Sequence, residues 1–162
     1  MTNPERKSEP GLPVLALDLG EKTVGAATCD AMSITIQRLT PLKRSSWKKL
    51  LQVVKALIDR FDAQTLVIGL PLRLDGTKGS AAETVERLAF NFARSLTVPV
   101  YLQDERLTTK EASGYLRRDG YDDRDISALV DSESAAIILR DFLHAGEDKI
   151  LVGRERIEIE NE

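Results

Sequence analysis

Three acidic residues stand in this chain where water is not their natural partner. Asp18 interrupts the apolar run VLALDLG, residues 14–20. Glu105 closes the run VPVYLQDE, residues 98–105. Asp131 precedes Ala135 by four residues and Ile138 by seven, so it shares their helical stripe. Carboxylates brought together repel, and one of them takes up a proton unless a cation neutralises the group. Hard dications such as Mg²⁺ and Mn²⁺ accept oxygen ligands and keep several waters. Two such ions about 3.5–4 Å apart activate a water and steady the leaving oxygen in phosphodiester cleavage. Each acid also has a structural reading. Asp18 can accept backbone N–H groups at a strand end, Glu105 can pair with Arg106 in solvent, and Asp131 can serve a helix N-terminus. Asp104 adjoins Glu105, but consecutive strand residues face opposite ways, so only one of the two can face Asp18.

Other chemistries are short of residues. The chain has one cysteine, Cys29, and one histidine, His144, which excludes an internal disulfide and a Cys/His zinc site. A Ser-His-Asp triad would have to draw on His144, close to the end of the sequence. With 162 residues, 42% of them apolar and 30% charged, the chain suits one compact domain with a real core. The formal net charge of −3 excludes a generally basic nucleic-acid binder, but not a local basic face. The apolar runs are too short to span a bilayer, and the polar first ten residues do not read as a signal peptide, so a cytoplasmic location is expected.

Cations surround the acids. Lys22, Arg73, Lys78 and Arg106 fall in the segments flanking them, where they can position a scissile phosphate. The loop DGTKGS opens a helix and suits an anion, although it is not a nucleotide-binding Walker loop. Residues 38–60 carry seven basic side chains and one acid. Lys48, Lys49 and Lys55, with Trp47 nearby, form either a phosphate-tracking face or an ordinary solvated helix surface.

The elements that must hold these residues follow from periodicity. Residues 1–13 read as a loose tail. Three strands come next, VLALDLG, VGAATCD and SITIQRL, spaced closely enough for an antiparallel meander. A helix over about 46–60 carries Leu50, Val53, Val54, Leu57 and Phe61 on one face, with Ser45 or Ser46 as N-cap. The strand TLVIGLP follows, then a helix opened by the capping box Ser80-Ala-Ala-Glu83, then the strand VPVYLQDE. A second capping box, Thr108-Thr-Lys-Glu111, opens a helix ending at Gly120, and a last helix carries Ala135, Ile138, Leu139 and Phe142. Strands and helices in this order predict an α/β fold, a mixed five-stranded sheet with helices on both faces over residues 14–144. Residues 145–162 hold six acids and three bases, and RERIEIE within them alternates like an edge strand or a solvated tail.

LDLGEKTVGAA, VIGLPLRLDGTKG, DERLTT and VDSESAAIIL, in that order and spacing, resemble the YqgF (RuvX) family, small relatives of the junction resolvase RuvC with an RNase H-like fold. The resemblance spans roughly residues 14–143. It implies that Asp18, Glu105 and Asp131 hold Mg²⁺ or Mn²⁺ as catalytic residues. It implies an endonuclease that processes the 5′ end of pre-16S ribosomal RNA in ribosome biogenesis, on precursor particles, or else a resolvase of branched DNA, which would need a dimer. A catalytically silent nucleic-acid-binding module is the alternative of another class. An actin-like ATPase shares the D-x-G strand start but needs two copies of the fold. The sequence departs from the family in three places. Lys22 is followed by Thr23, Arg124 stands without a lysine run, and the fourth long strand ends Gly69-Leu70-Pro71 where RuvC-type resolvases place an acid. Glu105 must then supply that acid.

Overall fold

A computed structural model describes residues 9–106, 108–146 and 149–153, without the side chains of residues 108–110, 124, 127, 128 and 131. Strands β1 (Val14–Leu19), β2 (Thr23–Cys29), β3 (Ile36–Arg38) and β4 (Leu42–Lys43) precede helix α1 (Trp47–Phe61). Then come β5 (Thr65–Leu70), α2 (Ser80–Ser95), β6 (Val100–Asp104), α3 (Thr108–Arg118), α4 (Asp123–His144) and β7 (Ile150–Leu151). The sheet runs β3-β2-β1-β5-β6-β7, with β4 also paired to β2. β1, β5 and β6 are mutually parallel, and β2 and β7 are antiparallel to their neighbours. The expected five strands are all present. The two extra ones, β4 and β7, are two residues each, too short to leave a periodic signal.

β1 is apolar along its length because both of its faces are covered. Leu15 and Leu17 join Leu50 and Val54 of α1 and Phe92 of α2 in one cluster. Val14 and Ala16 face the other way, into a cluster with Ala135, Ile138, Leu139 and Phe142 of α4. Alternation along β1 therefore places Asp18 on the α4 side. Each fully buried large side chain of these clusters is worth about 1.5–3 kcal/mol, and the meander, α1, α2 and α4 are fastened to the sheet by them.

The helix ends correct the sequence reading in one place. Ser46 caps α1 by accepting from the Lys49 N–H at 3.3 Å, as expected. At α2 the N-cap is Gly79 and makes no side-chain bond. Ser80 is already helical there, so the capping box is not formed. α3 stops two residues before Gly120, whose φ of 89° ends the helix in the left-handed region. The box proposed at Thr108 lies outside the described side chains. The stretch RERIEIE and residues 1–8 lie outside the described residues. Residues ahead of β1 that are described are tied down, the Thr65 hydroxyl donating to the Gly11 carbonyl at 2.8 Å.

Candidate active site

Parallel strands β1, β5 and β6 all end at the same edge of the sheet, which is where open α/β sheets bind ligands. Asp18 lies near the end of β1, and Glu105 is the first residue beyond β6. β5 runs between them. Leu17 of β1 is paired with Ile68 of β5, and Gly69 with Gln103 of β6. Glu105 reaches back across β5 and is hydrogen-bonded to Asp18. Its backbone N–H donates to the Leu70 carbonyl at 3.1 Å, which fixes the turn that aims it.

Gly69 makes this reach possible. A Cβ there would stand 2.5 Å from Glu105 Oε2 and 2.5 Å from Ile138 Cδ1. The missing side chain is the space the carboxyl occupies. On the other side of Asp18, the register partner on β2 is Gly25. Asp18 thus has glycine beside it on both neighbouring strands, and on the β5 side that absence of a side chain is what admits the Glu105 carboxyl. The strand end Gly69-Leu70-Pro71, which lacks an acid of its own, receives one from β6.

The electrostatics of the pair follow. Burial, first, and then the Asp18 charge and hydrogen bond push the Glu105 carboxyl up to about 9. Two oxygens of this kind at one spot hold either a proton or a cation. The donor set is all carboxylate and suits a hard dication. Asp104 adds a smaller upward push through its charge, but its carboxyl is engaged elsewhere, by Arg106. Its two oxygens accept from the Arg106 backbone N–H at 3.0 Å and from Nε at 2.8 Å.

Two of the three predicted acids are thus brought together. The third, Asp131, lies in α4, the helix over this face, one helical turn ahead of Ala135. Its side chain lies outside the described residues. Among the described residues no cluster of three His, Cys, Asp or Glu is formed.

The predicted phosphate-positioning cations divide into different roles. Lys22 is exposed in the β1–β2 turn. Arg106 Nη1 donates to the Leu74 carbonyl at 3.4 Å, clamping the loop after β5 to the end of β6. Arg73 packs against Gly79 at the start of α2. Lys78 is paired with Glu86 at 2.7 Å. Lys48, Lys49 and Lys55 are exposed on α1. Trp47 is not on that surface, for its ring meets Phe92 edge-on at 4.7 Å within the core cluster.

Sequence reasoning missed two groups. Arg44 donates from Nη1 to the Gly20 carbonyl at 2.8 Å and from its backbone N–H to the Lys22 carbonyl, so it holds the turn that carries Lys22. Its place in a basic run was visible, but its partner depends on the β2–β4 pairing. Glu133, 5% exposed, is bound by Arg38 through both guanidinium Nε and Nη2, the latter at 2.7 Å. That pair lines a shallow cleft of about 230 Å³ with Tyr115, Asp119 and Arg140, on the side of α4 toward α3 and β3. The cleft is apart from the carboxylates, and its arginines are already matched by acids.

A family model described as "RuvX: Holliday junction resolvase" matches residues 13–145. The "Putative pre-16S rRNA nuclease" of Syntrophus aciditrophicus is 42% identical to this chain over 132 residues, 82% of this chain and 88% of the relative. That of Synechococcus elongatus is 34% identical over 129 residues, 80% of this chain and 87% of the relative. Among solved structures, Thermus thermophilus RuvC bound to a Holliday junction substrate superposes with a TM-score of 0.56 at 18% identity, over 86% of this chain and 99% of that one. Fowlpox virus resolvase bound to Holliday junction DNA gives 0.51 at 17% identity, over 83% of this chain and 98% of that one. At those identities the likeness is one of fold, and the fold is RNase H-like.

Proposed function

The chain belongs to the RuvX family, and from that premise we propose that it is a metal-dependent endonuclease cutting phosphodiester bonds in structured nucleic acid, its substrate being the 5′ end of precursor 16S ribosomal RNA. The observation that supports the reading is the Asp18–Glu105 pair, two carboxyls brought together at the strand edge, Glu105 in the space that Gly69 leaves. The names of the curated relatives favour the RNA substrate. In this reading residues 14–144 are the nuclease domain, acting in the cytoplasm on ribosomal precursor particles. No helix among the described residues is long and apolar enough to cross a membrane.

Asp18 and Glu105, with Asp131 contributed by α4, would hold Mg²⁺ or Mn²⁺. Such an ion, when bound, lowers the pKa of water and neutralises charge on the scissile phosphate. The protein's own residues do the rest. Loading the site requires Glu105 to give up its proton. Arg106 holds the loop 73–77 against the β6 end, and Lys22 on its Arg44-braced turn approaches from the β1 side. These two sides frame the acids and orient the phosphate.

The test is incubation with Mn²⁺ of the full chain and its Asp18→Asn variant, on precursor 16S RNA and on a four-way DNA junction. Cutting of the RNA by the wild type alone supports the reading. Paired, symmetric nicks in the junction, with a dimer in solution, would favour the resolvase that the family's description names. Nucleic-acid binding without cutting, and no Mn²⁺ heat that depends on Asp18, would make the chain a silent binding module.

A further inference from the structure

Ser134 sits in the middle of α4 and is 1% exposed, yet its hydroxyl has no hydrogen-bond partner among the described residues. Its neighbours on the helix do not share that state. The Ser132 hydroxyl donates to the Leu39 carbonyl at 2.5 Å, and Glu133 is bound twice by Arg38. A buried hydroxyl left unpaired is unfavourable and calls for a partner that the bare protein does not supply.

The position of Ser134 says where that partner lies. It stands four residues before Ile138 and three after position 131, so all three share one stripe of α4. Ile138 Cδ1 and Glu105 Oε2 crowd the same point above Gly69, which sets the stripe over the carboxylate pair. A helical side chain leans toward the turn N-terminal to its own Cα. Ser134 therefore leans from Ile138 toward the turn that carries position 131. Its deep burial and its unspent hydrogen-bonding capacity both fall beside the edge where the acids gather.

We propose that Ser134 is a positioning residue of the metal site: its hydroxyl hydrogen-bonds to an oxygen of the ligand set once the carboxylates hold a divalent cation. The proposal rests on the metal-dependent reading above. Ser134 touches no substrate in it. It fixes the orientation of an oxygen that does, as groups behind metal ligands do elsewhere. The alternative is that Ser134 is a small core residue and nothing more.

Two measurements on the full chain separate these. Mn²⁺ is titrated calorimetrically into metal-free wild type, Ser134→Ala, Ser134→Cys and Asp18→Asn, and each protein is melted in chelator. Ser134→Ala loses only an unpaired hydroxyl, so in chelator it should melt at or above the wild-type temperature. Its Mn²⁺ affinity should fall about threefold to tenfold. Ser134→Cys, close in volume and a weak donor, should fall in between. Unchanged Mn²⁺ affinity in Ser134→Ala overturns the proposal. So does a lower melting temperature in chelator, or failure of both Ser134 variants to fold, since the hydroxyl would then serve the scaffold. Absence of Asp18-dependent Mn²⁺ binding in the wild type would instead remove the metal site itself, and the proposal with it.

Discussion

Glu105 is hydrogen-bonded to Asp18 although a whole strand, β5, separates the strands they come from. The contact spans β5 because Gly69 presents no side chain there. In the proposed reading this bridge sets how the site responds to pH, to metal and to substitution.

The bridge makes the metal-free protein sensitive to alkali. The Glu105 carboxyl is raised from about 4.5 to about 9 in the folded chain. Between those values the folded chain keeps a proton that the unfolded chain has released, so stability declines as pH climbs through the window. In chelator, melting temperature should fall from about pH 6 to about pH 9. Mn²⁺ must displace that proton, so its affinity and its stabilising effect should rise over the same range. A melting temperature that is flat or rising in chelator would show that Glu105 is not the proton holder.

Glu105→Gln keeps the shape of the protonated carboxyl but removes its ability to ionise. Metal-free stability at alkaline pH should rise or hold, and the decline just described should disappear. Asp18-dependent Mn²⁺ heat and cutting should both be lost. A variant that still cuts at the wild-type rate would assign the catalytic acid elsewhere.

Gly69→Ala puts a methyl group where the carboxyl now lies. Either Glu105 or Ile138 must move, at a cost of about 1–3 kcal/mol as in other overpacked sites. Denaturant unfolding reads that loss, and calorimetry reads weakened Mn²⁺ binding. Full Mn²⁺ affinity in a folded Gly69→Ala protein would refute the bridge.

Arg38 and Glu133 test stability away from the site. Arg38→Ala leaves a carboxylate buried without its partner. Because the Arg38 side chain is itself 54% exposed, the loss should be about 1–3 kcal/mol rather than that of a fully buried pair. Adding Glu133→Gln should recover part of it in denaturant titrations. Cutting per folded molecule should not change in either variant.

Arg106 is held by Asp104, and this distinguishes a loop clamp from a free phosphate ligand. If Arg106 works by clamping the 73–77 loop, Asp104→Asn and Arg106→Ala should both raise KM for nucleic acid, on the order of tenfold for Arg106→Ala. Asp104→Asn should leave KM unchanged or lower if Arg106 acts as a free cation.

The long elements were legible in the sequence because they are periodic. The unbroken apolar run of β1 and the stripes of α1, α2 and α4 correspond to buried faces. Asp18 was legible for the opposite reason, as a charge set among apolar neighbours, and Glu105 as an acid at the C-terminal end of a buried-type strand. What could not be read were contacts fixed by register between distant segments. Gly69 read as a missing acid, and only the β5–β6 pairing shows it as the gap that admits one. Glu133 carried no signal of its own in the sequence, because its partner Arg38 lies 95 residues away and reaches it only through the meander. Ser80 fitted a capping box by spacing, but the backbone begins α2 one residue earlier than the box requires.

The space above Gly69, which Glu105 fills, also means that the proposed catalytic position is a location in space rather than a place in the chain. Two adjacent strands end beside it, and either can furnish the oxygen. A reciprocal transplant, Gly69→Glu with Glu105→Gly, should therefore rebuild the same local charge from the other strand, and relatives that differ in which strand bears the acid can be compatible solutions to one geometric demand.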